Sequence, residues 1–216
     1  MPKHSASYLP LSFEDYGRMS RVITAVLRAF RKDPATSCAY YAMVGTYLLE
    51  QFHQKATDLV AGGAMYVLTA EPMPEMLYYG PCLFEDGTPT ETWHCWIECD
   101  GHVIDLMAPI FREVMNPLKG SRRLPRRMLQ RSLADSAATP ALVKTLGDFR
   151  LTPSEKHTED VFEGLARCPD ILNIIRICSE WYVRAPKRID KSITMESDKG
   201  QATAVQLPSF ELVGKW

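Results

Sequence analysis

No apolar run in this chain approaches the roughly 20 residues needed to cross a bilayer, so no membrane partner is expected. Met1 to Phe13 contains no continuous apolar stretch of the kind that marks a secretory signal. Cysteine is scarce: six in 216 residues is too few for a disulfide scaffold. Neither charge dominates, with 25 Lys and Arg against 26 Asp and Glu, so bulk electrostatics selects no nucleic acid or other highly charged partner. No internal repeat or low-complexity segment stands out. These absences leave a reduced, cytoplasmic globular protein as the expectation. With 46% hydrophobic residues, positions 1–216 read as one domain with a real core.

What is present is concentrated in two places. Cys38 stands at the head of an apolar segment, Ala39-Tyr40-Tyr41-Ala42-Met43-Val44-Gly45-Thr46-Tyr47-Leu48-Leu49, which reads as a central helix from about Cys38 to His53, buried on most sides. Thr36 or Ser37 is placed to cap it. Downstream comes His94-Cys95-Trp96-Ile97-Glu98, then Asp100-Gly101, then Ile104-Asp105-Leu106. Asp-Gly between two apolar runs is a strong signal for a hairpin closed by a two-residue type I′ turn. That turn pairs Cys99 with His102, Ile97 with Ile104, Trp96 with Asp105 and His94 with Met107. His94 and Asp105 then share a face as diagonal neighbours, about 7–8 Å apart in the backbone and bridgeable by their side chains.

A cysteine at a helix N-terminus meets exposed N–H groups and the positive end of the helix dipole, both of which favour thiolate. A neighbouring imidazolium favours it further, and a carboxylate on the other ring nitrogen fixes the tautomer. The expectation is a Cys38–His94–Asp105 acyl-transfer site, with His94 and not Cys95 facing the Cys38 helix. Ser37, Trp96 and Glu98 are its candidate supporting or substrate-contacting residues. Cys95, Cys99 and His102 fall on the opposite face of the hairpin. Three such ligands do not complete a tetrahedral zinc site, so no metal and no cofactor is expected, and a zinc-stabilised structural protein is the lesser reading.

The rest of the chain frames this pair. Ser12 and Asp15 make a capping box before a helical periodicity through Tyr16, Met19, Ile23, Val26, Leu27 and Phe30, which stops near Asp33-Pro34. Gly62-Gly63 reads as a break before a strand from Met65 to Thr69. Glu71 to Pro74 reads as a loop, Met76 to Tyr79 as a weaker strand, and Gly87 to Pro89 as a turn. Lys119, Arg122, Arg123, Arg126, Arg127 and Arg131 form a basic run with no interleaved aromatic, read as a solvated face rather than a nucleic-acid surface. Helices are expected over Thr158 to Arg167 and Asp170 to Arg184, a loop-like tail from Pro186 to Gly200, and an edge strand from Ala202 to Leu207. His4, His53 and His157 join no constellation.

The segment His94-Cys95-Trp96-Ile97-Glu98 with Ile104-Asp105-Leu106-Met107-Ala108-Pro109 resembles the transglutaminase-like branch of the papain-like cysteine proteinase superfamily, and small bacterial members of it with no assigned activity. That branch shows a helix-starting cysteine, His-x-Trp-x-Glu on a strand, and an aspartate closing the next strand with a proline soon after. The resemblance covers residues 33–109. It implies an α+β fold in which the cysteine helix packs on an antiparallel sheet carrying His94 and Asp105. It also implies Cys38 as nucleophile, His94 as base, Asp105 as orienting acid, and Trp96 as the aromatic beneath the histidine strand. A small-molecule or peptide amide is the implied substrate class, hydrolysed or passed to an amine. A binding module that keeps the fold without the chemistry is the alternative. Two departures stand out: Phe30 to Ser37 holds no glutamine for a papain-type oxyanion donor, and the hairpin is short.

Overall fold

The computed structural model describes residues 9–69, 74–83, 89–115, 124–197 and 199–216. Its first helix, α1 (Phe13–Ala29), starts at the capping box read from the sequence: the Asp15 N–H donates to the Ser12 hydroxyl at 3.0 Å. Its apolar stripe is buried from Tyr16 to Leu27. A single 3₁₀ turn at Pro34–Thr36, capped by the Asp33 carboxylate, leads into α2 (Cys38–His53). Ser37 occupies the position before α2 but does not cap it. Its hydroxyl turns back and donates to the Asp33 carbonyl at 2.6 Å, which leaves the first turn of α2 without a side-chain acceptor. Burial of α2 is concentrated on Tyr41, Ala42, Val44, Gly45, Leu48 and Leu49, while Tyr47 reaches solvent.

The strands follow: β1 (Asp58–Val67), β2 (Met76–Tyr79), β3 (Pro81–Leu83), β4 (Pro89–Glu91), β5 (His94–Cys99) and β6 (His102–Asp105). After a short α3 (Phe111–Met115) come β7 (Leu129–Ser132), β8 (Phe149–Pro153), α4 (Glu155–Ala166), α5 (Ile171–Trp181), β9 (Ser192–Glu196) and β10 (Ala202–Gln206). Among the described residues, one curled antiparallel sheet runs β2-β1-β5-β6-β7, with β8 also paired to β1. The architecture is a mixed α+β fold in which α2 packs on β5 and β1. Buried side chains from Leu11 to Val205 form one contiguous core.

The hairpin closes as its sequence dictates. Asp100 and Gly101 both have positive φ, 49° and 72°, and Cys99 pairs with His102 and Ile97 with Ile104. The paired ladder ends there, so Trp96–Asp105 and His94–Met107 continue the register without being ladder partners.

Elsewhere the structure departs from expectation. Gly62-Gly63 does not interrupt β1 but lies inside it, because β8 crosses so closely that a Cβ on Gly62 would meet the Thr152 carbonyl oxygen at 2.2 Å. Helix α4 begins earlier than expected, since Ser154 caps it through the His157 N–H, and α5 ends at Trp181, before an extended Tyr182, rather than at Arg184. The tail from 186 to 200 is not all loop: β9 lies within it and pairs with β10 in a separate two-stranded sheet, where the strand expected from Ala202 is an edge. The expected turn at 87–89 and loop at 71–74 lie largely outside the described residues, as do Lys119, Arg122 and Arg123.

The other three arginines of the basic run are not a solvated face. Arg126 pairs with Glu113, donates to the Pro109 carbonyl and lies over the Phe210 ring. Arg127 covers the Trp216 ring, and Arg131 donates to the carbonyls of Gly147 and Trp216. They fasten the C-terminal segment, whose Trp216 N–H donates to the Met128 carbonyl at 3.0 Å.

Candidate active site

Alternation along the strands decides which side chains meet. Gly62 pairs with His94, and Ala64 and Tyr66 pair with Tyr79 and Leu77. His94, Tyr66 and Tyr79 therefore share one face. The Tyr79 ring stacks on the His94 imidazole at 4.5 Å and 19°. Tyr66 and Phe111 meet the same ring edge-on at 6.0 and 5.9 Å. This aromatic box excludes water: His94 is 0% and Asp105 1% exposed.

Inside the box the imidazole is oriented. His94 Nε2 lies 2.7 Å from Asp105 Oδ2, within the range expected for the far ring nitrogen of a base. The carboxylate is itself held by the Met107 N–H on Oδ1 at 3.0 Å and the Tyr66 hydroxyl on Oδ2 at 3.3 Å. The buried Tyr16 hydroxyl donates to the Asp105 backbone carbonyl and accepts the Leu129 N–H, tying α1 to this corner of the sheet. With Nε2 occupied, Nδ1 is the remaining ring nitrogen, and it is buried with no hydrogen-bond partner among the described residues.

Cys38, 8% exposed, is the first residue of α2, and both Cys95 and His94 act on its sulfur. Here the structure corrects the expected orientation. The α2 helix packs on the Cys95–Ile97 face, since a Cβ on Gly45 would meet Ile97 and Leu106 side chains at 2.6 and 2.4 Å. Cys95, two residues from Ile97 on the same face, thus points to α2 rather than away from it, while His94 approaches from the other face of the strand. Hydrogen bonding from Cys95 is the largest influence on Cys38. Together with His94 it outweighs desolvation and holds the thiol well below its ordinary pKa. The same contact pushes the Cys95 thiol far up, so Cys95 is the protonated donor. Burial opposes the His94 cation, but the charge and hydrogen bond of Asp105, aided by Cys38, raise its pKa to about 10.

Of the supporting residues expected from sequence, Trp96 is fully buried and donates from Nε1 to Glu98 Oε1 at 3.0 Å. Glu98 thereby fixes Trp96 rather than touching His94 or Cys38. Ser37 acts on the Asp33 turn that delivers Cys38. The alternative zinc set does not assemble. Cys95 is engaged with Cys38, His102 Nδ1 donates to the Asp100 carbonyl at 2.9 Å, and among the described residues no three His, Cys, Asp or Glu side chains are placed to hold a metal ion. Tyr66, Tyr79, Phe111 and Tyr16 carry no site signal in the sequence, and Cys95 stands out there only in the zinc alternative, facing away from Cys38. Tyr79 was findable, because the Met76–Tyr79 alternation puts Leu77 and Tyr79 on one face.

Beside the aromatic box lies a cleft of about 340 Å³, whose lining includes Tyr78, Tyr79, Trp93, Thr92, Glu91 and His157. Tyr79 forms the partition between cleft and imidazole. His157 bonds the Ser154 hydroxyl at 2.7 Å and faces Glu91 at 3.3 Å, an arrangement that closes the N-terminus of α4.

Among the described residues, no helix is long and apolar enough to cross a membrane. No curated protein matches the chain. A solved structure described as the crystal structure of genomics APC5867 superposes with a TM-score of 0.82 at 27% identity, covering 100% of both chains. The family model for a protein of unknown function, DUF2026, matches residues 12–216, and the chain therefore belongs to the DUF2026 family.

Proposed function

We propose that this protein is a cysteine-dependent acyl-transfer enzyme, working on a small-molecule or peptide amide through a Cys38–His94–Asp105 triad on a papain-like, transglutaminase-like fold. The observation that supports it most is the buried 2.7 Å contact of His94 Nε2 with Asp105, which leaves Nδ1 unpartnered while the imidazole and the Cys38 thiol favour each other's charge. In this reading the thiolate attacks the carbonyl carbon, forming a C–S bond as the carbonyl π pair moves to oxygen. The His94 imidazolium gives its Nδ1 proton to the departing amine as the C–N bond breaks, and the neutral ring then takes a proton from water or an incoming amine that cleaves the thioester. Asp105 accepts from Nε2–H and keeps it in place, so Nδ1 is always the working nitrogen. The Cys38 N–H, at the uncapped start of α2, is one oxyanion donor.

The test is a panel of amide, ester and glutaminyl substrates, with and without an added amine, and Cys38→Ala as the blank. Turnover lost in Cys38→Ala, together with an acyl adduct mapped to Cys38, is the expected result. Product formation with amine separates transfer from hydrolysis. Turnover that survives in Cys38→Ala, or a Cys38 that never carries an acyl group, contradicts the proposal and favours a binding module.

A further inference from the structure

The proposed chemistry lacks a second oxyanion donor, and the aromatic box contains one with nothing to bond. The Tyr79 hydroxyl is shielded from solvent and has no hydrogen-bond partner among the described residues. A buried O–H without a partner is costly, and such groups in native structures call for an explanation. Its neighbours supply one. The ring is clamped flat against the imidazole, so the hydroxyl has a fixed place relative to His94. It feels the charge of Cys38 more strongly than that of Asp105. The same side chain lines the cleft that approaches His94 from outside. By contrast, the neighbouring Tyr66 hydroxyl is already committed to Asp105 and Tyr16 to the Asp105 carbonyl.

We propose that the Tyr79 hydroxyl is the second oxyanion donor, binding the tetrahedral oxygen formed when Cys38 attacks a carbonyl group presented from the adjoining cleft. This rests on the acyl-transfer reading and specifies which residue stabilises its intermediate. Tyr79 donates a hydrogen bond and keeps its proton throughout. Burial, with the negative charge of Cys38, pushes its ionisation far above the ordinary phenol range, so it remains a donor wherever His94 is charged. The oxyanion is absent from the ground state, which explains why the hydroxyl is unpartnered before attack.

The donor role is separable from a packing role because two reagents reach the same sulfur by different routes. Iodoacetamide alkylates a thiolate by displacement at saturated carbon, with no oxyanion. p-Nitrophenyl acetate acylates it through a tetrahedral oxyanion, which collapses with C–O cleavage to release nitrophenolate. In Tyr79→Phe, which keeps the ring stacked on His94, alkylation of Cys38 is expected within about twofold of wild type. Acylation of Cys38 should be slower by about 10²-fold, as for loss of one oxyanion donor. Acylation at the wild-type rate would overturn the assignment. An equal fall in both rates would also overturn it, because Tyr79 would then act by holding His94. Wild-type Cys38 that resists acylation altogether would overturn the acyl-transfer reading and the Tyr79 role with it, an outcome visible before any variant is made.

Discussion

At Cys38, hydrogen bonding from Cys95, the His94 charge and the start of α2 all act on one sulfur, while burial opposes them. Replacing Cys95 with alanine removes the largest of the favourable influences without touching His94 or Asp105. The Cys38 pKa should rise towards, but not reach, that of an ordinary thiol, so the pH at which its alkylation rate levels off should move up. An unchanged profile would mean that His94 alone ionises the sulfur. Asp105→Asn should leave the fold in place but cut acyl transfer by about 10²-fold or more, since the ring loses both its tautomer control and the charge that raises its pKa. The sequence disclosed the three proposed reactive residues, because a type I′ Asp-Gly turn fixes the parity of every residue on both strands. It did not disclose Cys95 as a partner of Cys38. Parity says which residues share a face, but which face a helix covers is a tertiary fact, set here by the fit of Gly45 against Ile97 and Leu106.

Elements position the site as much as residues do. Strand β1 lies between β5, which carries His94, and β8, and Gly62 is where the chain permits that closeness. Gly62→Ala would drive a methyl group against backbone atoms of Thr152 and Pro153, which cannot rotate away. A loss of about 3 kcal/mol in unfolding free energy is expected by chemical denaturation, at the upper end of overpacking costs. Because Gly62 pairs with His94, Cys38 alkylation should slow at the same time. A neutral effect on both would contradict the close crossing of β8. This is also why the strand was hard to see in sequence: a Gly-Gly pair ordinarily signals a break, and nothing local announces that a second strand needs the space. The hairpin and α2 were legible because their signals are local, a turn dipeptide and an apolar segment. Strand β8 and the β9–β10 pair were not, since their stability comes from distant partners.

For the whole molecule, the buried ion pair makes stability depend on pH in a characteristic way. His94 is raised, so on its own it stabilises the fold fully below about pH 6.5 and loses that contribution as the pH climbs to about 10. Cys38 is depressed, so on its own it stabilises above about pH 8.5 and loses that contribution as the pH falls through its folded value. Between about pH 6.5 and 8.5 the folded pair holds one proton on His94 and the unfolded chain holds one on Cys38, so the slopes cancel. The pair's contribution to stability should therefore be flat across that window, falling above it until about pH 10 and falling again on acidification. In Cys38→Ser the compensating thiol is gone, and the decline should begin near about pH 6.5. Urea midpoints measured across this range for both proteins check it, and identical curves would contradict a charged pair. The C-terminal segment was the least legible part of the chain. Its attachment depends on Arg126, Arg127 and Arg131, whose sequence pattern resembles a solvated basic face and whose partners lie at distant positions.

The central claim is that the native fold ionises Cys38, and the pH dependence of its alkylation tests that most directly. Iodoacetamide rates at Cys38, mapped by mass spectrometry, should diverge from those of an unstructured cysteine peptide assayed alongside. Cys38 should react at a nearly constant rate through the range in which the peptide thiol, with a midpoint near about 8.5, is still gaining reactivity. If Cys38 instead rises with the peptide thiol, with the same midpoint, the sulfur is a plain buried thiol and the triad reading fails.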